Sequence, residues 1–230
     1  EQGWLIYDQD ELNDMVMTLH QKGYQIATHA NGDAAIDAVL VAYETALRAM
    51  PKTDHRFRIE HCQVCRPEHI TKMSELGVIP NFFANHIYYF GDRHRDRFLG
   101  PDRVGYLDPV KSAISAGLKP LLHSDCPVTP VNPLFCMQNA ITRSTSSDEV
   151  LNKPEQIQIR EALSTMTRNS AYGGFEEDTK GSLEIGKFGD LVILNHDPFR
   201  EPAHEIGRIE VAATIVGGQL MYGTHDVSIG

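Results

Sequence analysis

Short apolar stretches alternate along this chain with longer segments whose apolar positions recur at helical spacing. The short stretches predict buried strands, and the longer segments predict amphipathic helices that pack against them. Strand alternating with helix, four times over, is typical of a parallel sheet with helices outside. The predicted strands are residues 24–28, 57–60, 78–83 and 118–122, and the predicted helices are residues 8–23, 33–50, 67–77, 108–117, 133–143 and 159–171.

Two regions depart from this alternation. Residues 85–101 are polar and aromatic, and we predict a long loop of the kind that serves as a lid or a binding loop. After about residue 174 the chain becomes punctuated by glycine, and Gly217-Gly218 between two apolar stretches predicts a hairpin turn. The sequence therefore predicts an α/β part over residues 1–175 and a small β element over residues 176–230.

Three of the predicted strands lead into residues that bind first-row metals. The first leads into His29, the second into His61, and the fourth into a polar cluster that contains Asp125. His61 follows His29 by 32 residues, and Asp125 follows His61 by 64. A (β/α)8 barrel spends roughly 31 residues on each unit, so these positions fall on its first, second and fourth strands in this chain.

The bland interpretation is that each of these residues is an ordinary polar residue at a strand end. The interpretation that we favour is a catalytic metal site, because the carboxyl ends of parallel strands converge on ligands. A divalent metal would activate a water molecule as nucleophile, and Asp125 could bind the metal and take the proton from that water.

Several further residues have two interpretations each. His86 and Tyr88 either line a substrate pocket or belong to a solvated loop with an aromatic plug. His123 lies two residues before Asp125 and so shares its strand face, where it either contacts substrate or metal ligands or is a buried, satisfied histidine. The Cys62-x-x-Cys65 pair is more typical of packing than of redox chemistry.

Composition narrows the classes of function. The formal net charge of -10 argues against nucleic acid or an anionic membrane surface as a partner. No apolar run approaches the roughly 20 residues that a membrane helix needs. Four cysteines in 230 residues indicate a reducing compartment, which predicts a cytoplasmic protein.

Three motifs resemble those of the amidohydrolase superfamily. They are THANGD at residues 28–33, IEHCQ at 59–63 and HSDCPV at 123–128. They are most similar to the metal-dependent hydrolase branch that includes N-substituted formamide deformylase. The segment GSLEIGKFGDLVIL at residues 181–194 is similar to the part that returns such chains to a small β-sandwich.

The resemblance implies a (β/α)8 TIM barrel with a metal site at its carboxyl face. It implies that His29, His61 and Asp125 bind one or two divalent ions, most often zinc. It also implies hydrolysis of a carbon–nitrogen bond in a small amide, formamide or related substrate, with Asp125 as the proton shuttle.

One departure from the family pattern stands out. The family carries a His-x-His pair on its first strand, and this sequence has no such pair. We therefore expect the chain to be the carboxyl-terminal half of the barrel, completed by self-association or by a complementary amino-terminal half. The alternatives are a catalytically incomplete fragment that acts as a folding or assembly module, and a deaminase-type ring hydrolase on the same scaffold.

Overall fold

The computed structural model describes residues 3–223, so residues 224–230 of the predicted tail lie outside the described range. The strands are β1 Ala27–Ala30, β2 Arg58–His61, β3 Ile79–Phe82, β4 Leu121–Leu122, β5 Leu191–Leu194, β6 Val211–Val216 and β7 Gln219–Gly223. The α-helices are α1 Gln9–Gln21, α2 Asp33–Ala49, α3 Pro67–Leu76, α4 Asn85–Arg93, α5 Gly100–Arg103, α6 Val110–Ser115, α7 Pro133–Thr142, α8 Ile159–Met166 and α9 Arg168–Gly173. None of these helices is long and apolar enough to cross a membrane.

The first four strands form one parallel sheet in the order of the chain, β1-β2-β3-β4, which confirms the predicted α/β class. Ala30, His61, Phe82 and Leu122 lie side by side in one row of this sheet. His29 lies one row earlier, beside Glu60. Because side chains alternate between the two faces of a strand, a regular backbone would send the side chains of His29 and His61 to opposite faces.

One face of the sheet is covered by helices and holds the core. Phe57, Ile59 and Phe82 have no exposed surface and pack with residues of α2 and α3. The Tyr43 hydroxyl reaches from α2 across this core and donates a hydrogen bond of 2.7 Å to the carbonyl of Arg58. Burial raises the pKa of this hydroxyl far above its ordinary value, so it acts as a neutral group in the core.

The prediction of a long loop over residues 85–101 is wrong. This segment holds α4, a π-helical turn at His94–Phe98 and the start of α5. Its helical period is masked in the sequence because polar residues such as Asn85 and His86 are buried here. Gly91 lets the helix approach the residues that follow α7, since a Cβ there would lie 2.8 Å from a methyl carbon of Leu151.

The last three strands form an antiparallel sheet in the order β5-β6-β7. Gly217 and Gly218 join β6 to β7 with φ values of 58° and 79°, which confirms the predicted hairpin turn. Left-handed conformations at both central residues match the twist of the strands, and glycine adopts them without a steric cost. A 3-10 segment before β6, Ala203–Arg208, packs against α7 and adds Ile206 to the main core.

Candidate metal centre

The carboxyl edge of the parallel sheet brings three of the predicted residues together. His61 is the last residue of β2, and His123 and Asp125 follow β4. Each of these three side chains offers a ligand atom, and the three atoms lie within 4.8 Å of one another. All three side chains are half-buried. The pairing of His61 with Asp125 was predicted from the sequence, whereas His123 was assigned no metal-binding role there.

His29 lies beside this group rather than within it. Its ring centre is 4.5 Å from that of His61, at an interplanar angle of 72°. The His29 side chain is exposed because β1 pairs with β2 alone in the described part of the chain. The structure thus places His29 next to the three convergent residues, on the open side of the sheet.

The backbone at this edge is unusual at the residues that carry the donor atoms. His61, Cys62 and Asp125 have φ values of 70°, 48° and 50°. Non-glycine residues adopt this left-handed region at a cost of about 1 kcal/mol or more, and such residues cluster at functional sites. The left-handed backbone at His61 interrupts the alternation of side chains between the two faces of β2. The imidazole ring of His61 lies beside the rings of His29 and His123.

A chain of buried hydrogen bonds holds the loop that carries Asp125. Asn139 donates to the side-chain oxygen of Asn85 at 2.8 Å, and Asn85 donates to the Thr129 hydroxyl at 2.8 Å. Thr129 in turn donates to the carbonyl of Ser124 at 2.5 Å. This network ties the residue before Asp125 to α4 and α7. Sequence reasoning missed it, because no local pattern relates residues that are 44 or 54 positions apart.

Burial keeps the two central imidazoles neutral. It lowers the pKa of His61, and nearby His29 lowers it further. It also lowers the pKa of His123 to about 4, and the repulsion that would arise if His61 and His123 were both protonated is the second cause. A neutral imidazole has a lone pair free for a metal ion, which is the protonation state that coordination requires.

The imidazole of His86 faces the same group from α4. The ring centre of His86 lies 6.2 Å from that of His61. Its Nδ1 atom is 3.4 Å from Oδ1 of Asp108, which is fully buried. Buried Arg143 donates to the carbonyl of Asp108 at 2.9 Å, which holds this second carboxylate in place. Asp108 begins the helix predicted over residues 108–117, and the sequence pattern suggested no further role for it.

Tyr88 occupies a different place. Its ring packs against Phe135 with ring centres 5.0 Å apart, and both line a cavity of about 360 Å³ that also contacts Asn139 and Arg208. The structure therefore brings His86 and His123 to the candidate metal ligands, but it places Tyr88 in a separate cavity.

The donor set fits a divalent transition metal. It combines two neutral imidazoles with a carboxylate, which zinc and similar ions prefer. Two buried nitrogens, Nδ1 of His61 and Nε2 of His123, have no hydrogen-bond partner among the described residues. Buried polar atoms without partners are costly unless a ligand, water or ion satisfies them. This observation favours a bound cation.

Comparison with known proteins identifies the class to which this chain belongs. The chain matches the model of the amidohydrolase family over residues 1–222. It therefore belongs to the amidohydrolase family, which confirms the resemblance seen in the three motifs.

Individual relatives agree with this assignment. The chain is 31% identical over 218 residues to N-substituted formamide deformylase from Arthrobacter pascens, covering 94% of this chain and 40% of that protein. It is 31% identical over 224 residues to the protein LONG AFTER FAR-RED 3 from Arabidopsis thaliana, covering 96% of this chain and 38% of that protein. An uncharacterized metal-dependent hydrolase from Pyrococcus horikoshii OT3 matches with a TM-score of 0.75 at 26% identity, over 88% of this chain and 40% of that one. The chain thus spans about two fifths of the length of these relatives.

Proposed function

We propose that this chain is the carboxyl-terminal half of a metal-dependent hydrolase that cleaves carbon–nitrogen bonds of small amides or formamides. The observation that carries the proposal is the convergence of His61 and Asp125 at the carboxyl edge of a parallel sheet, in a chain of the amidohydrolase family. The similarity to a formamide deformylase supports this class of substrate.

The residues proposed to hold the metal are His29, His61 and Asp125, and the ion proposed is zinc. When bound, such an ion polarises a carbonyl group and makes water a stronger nucleophile at neutral pH. The imidazole of His61 is neutral and half-buried, and its ring lies beside that of His29, so the two rings can bind one ion.

The four free cysteines support a cytoplasmic location.

The carboxylate of Asp125 has the proposed role of proton carrier. One carboxylate oxygen would accept the proton of the attacking water and deliver it to the nitrogen that leaves as an amine. This role requires a carboxylate held in one position, and the left-handed backbone of Asp125 and the hydrogen bond from Thr129 to the carbonyl of Ser124 both restrain its loop.

We also propose that residues 1–175 form half of a (β/α)8 barrel and that residues 176–230 contribute to a small β-sandwich. In the described part of the chain, β1 and β4 are the edges of an open parallel sheet. A groove of about 610 Å³ lies beside β1 and is lined by apolar residues such as Trp4, Tyr7 and Met15. An open parallel sheet with an apolar groove at its edge favours coverage by further βα units, from a second copy or from a complementary amino-terminal half.

Metal content and turnover of purified variants test the catalytic proposal. We expect wild-type protein to bind zinc and to release formate from N-substituted formamides once the barrel is complete. His61→Ala should lose metal, and Asp125→Asn should lose turnover while the circular dichroism spectrum is retained. His196→Ala is the matched control, because His196 is a surface histidine whose one ion pair in the described part of the chain is with Glu201.

The outcomes separate the alternatives. Wild-type protein without metal and without turnover would favour the incomplete fragment that acts as an assembly module. Ammonia release from amino-substituted rings, in place of formate release, would favour the deaminase. Size-exclusion chromatography with light scattering tests the assembly, and a stable, folded monomer would remove the idea of self-association.

A further inference from the structure

We infer that His86 binds the substrate, and that its Nε2 atom accepts a hydrogen bond from an N–H group on the nitrogen that leaves. This role rests on the proposed amide hydrolysis and deepens it, because it names the class of substrate. An amide with at least one N–H on that nitrogen can donate the hydrogen bond. An amide with two substituents there cannot, so we expect it to be a poor substrate.

The ring of His86 lies against the candidate metal ligands. Its centre is 6.2 Å from that of His61 and 4.3 Å from that of Phe83. The same phenyl ring of Phe83 stacks on the ring of His123, with centres 5.2 Å apart and an angle of 21°. A small molecule held at the candidate metal ligands can therefore reach the imidazole of His86.

A buried carboxylate determines which ring nitrogen of His86 carries the proton. Nδ1 of His86 lies 3.4 Å from Oδ1 of Asp108, a residue with no exposed surface. An ionised carboxylate only accepts hydrogen bonds, so Nδ1 donates and Nε2 keeps its lone pair. Arg143 is buried beside this pair and donates to the backbone carbonyl of Asp108 at 2.9 Å, and its positive charge offsets that of the carboxylate.

No protein group in the described part of the chain occupies Nε2 of His86. Asp108 is the one hydrogen-bond partner of the His86 side chain there, although His86 is only 5% exposed. His94, two turns further along, has a partner for each ring nitrogen: the carbonyl of Phe90 at 2.9 Å and the amide nitrogen of Gln63 at 3.1 Å. A buried imidazole that serves packing alone is expected to be satisfied in this way. Nε2 of His86 is therefore available to a ligand.

The residue that orients His86 is itself costly to bury. Oδ2 of Asp108 is buried and has no partner among the described residues. The backbone of Asp108 has a φ of 43°, in the left-handed region that disfavours residues other than glycine. Unsatisfied buried groups and such backbone conformations both destabilise a fold and cluster at functional sites. Packing alone does not account for this pair, whereas orientation of a substrate-binding imidazole does.

A hydrogen bond to Nε2 acts on the step in which the amine leaves. The nitrogen of the substrate gains a proton as the carbon–nitrogen bond breaks, and its N–H groups become stronger donors as it does so. The hydrogen bond to His86 therefore strengthens towards the transition state. Interactions that strengthen in this way raise kcat as well as kcat/KM.

A pair of substrates that differ in one N–H tests the role of His86. Protein assembled into a complete barrel and supplied with zinc is given N-butylformamide or N-butyl-N-methylformamide, and formate release is measured. We expect His86→Ala to lower kcat/KM for the first substrate by roughly 10-fold or more, and for the second by less than about 3-fold. His86→Gln should recover part of the loss, because its side-chain oxygen accepts hydrogen bonds. His196→Ala should change neither value.

Nitrogen NMR of the full chain with isotope-labelled histidine tests the tautomer without any turnover. The signals of His86, identified by their absence from His86→Ala, should show a protonated Nδ1 and an unprotonated Nε2. Asp108→Asn should reverse this tautomer, because the amide of asparagine donates to Nδ1. The same variant should lose the preference for the substrate with an N–H group, although residue 108 is not expected to contact the substrate.

The outcomes separate this role from the proposed function. Equal losses of kcat/KM on both substrates in His86→Ala, or a proton on Nε2 in the wild-type protein, would show that His86 does not accept this hydrogen bond, and the proposed function would stand. A complete barrel that hydrolyses neither substrate in the presence of zinc would overturn the proposed function, and the role of His86 would fall with it.

Discussion

Arg56 joins the start of β2 to the segment after α9, and its replacement by Met should destabilise the fold by roughly 3 kcal/mol. Its guanidinium lies 4.0 Å from the ring centre of Tyr172 and 4.1 Å from that of Phe175. It donates to both carboxylate oxygens of Glu177, at 2.8 and 2.6 Å, and to Asp54 at 2.8 Å. The Arg56 side chain is only 9% exposed, so Met can fill much of its volume without making these contacts.

The magnitude follows from the separate contacts. Each cation–ring contact contributes about 0.5–1 kcal/mol. The pair with Glu177 contributes about 1 kcal/mol, because that carboxylate is 35% exposed and screened by water. The carbonyl of Tyr172, which accepts from Arg56 at 2.5 Å, would lose a partner at a cost of about 1 kcal/mol.

Urea unfolding monitored by circular dichroism measures the change in the free energy of unfolding. The matched control is Arg48→Met, since the Arg48 side chain is 79% exposed and, within residues 3–223, pairs only with Glu44 along one helix. The control should lose less than about 0.5 kcal/mol. A loss below about 1 kcal/mol for Arg56→Met, or a loss equal to that of the control, would refute the reasoning.

Two further predictions concern buried polar groups of the core. Tyr43→Phe removes a hydroxyl that donates to a backbone carbonyl, so urea unfolding should show a loss of roughly 1–2 kcal/mol; an unchanged midpoint would contradict the hydrogen bond. Burial lowers the pKa of His55, whose Nδ1 atom accepts from the N–H of Phe57 and whose Nε2 atom lies 2.8 Å from the carbonyl of Leu76. The unfolded chain therefore binds this proton more readily, and stability should fall as the pH drops below about 6.5. His55→Gln should flatten this dependence in unfolding curves at pH 7.5 and 5, and equal slopes for both proteins would count against the assignment.

The α/β class, and the location of the candidate metal ligands at the carboxyl edge of the sheet, could be predicted from the local pattern of apolar and polar residues. Apolar stretches and helical periods depend on neighbouring residues, so the four parallel strands and the hairpin at Gly217-Gly218 were both predicted correctly. The predicted strand over residues 24–28 was displaced, because β1 runs from Ala27 to Ala30 and includes His29. Boundaries shift in this way because pairing with β2, not local propensity, decides where a strand begins and ends.

The helix at Asn85–Arg93 could not be predicted in the same way. Its buried positions include an asparagine, a histidine and a glycine, and such residues are usually exposed or in turns. They are buried here because partners from distant parts of the chain satisfy or accommodate them, as Asn139 does for Asn85. A local window of sequence contains no information about those partners.

The sequence by itself determined the family, the parallel α/β class and the candidate donors at the ends of successive strands, because each depends on residue type and short-range spacing. Only the tertiary structure decided which donors converge. The strand register places His29 and His61 in different rows of the sheet. His61 has a left-handed backbone conformation, and its side chain lies close to those of His123 and Asp125. Side chains 62 or more positions apart in the chain become neighbours only after the strands have paired, so their arrangement is a property of the folded sheet.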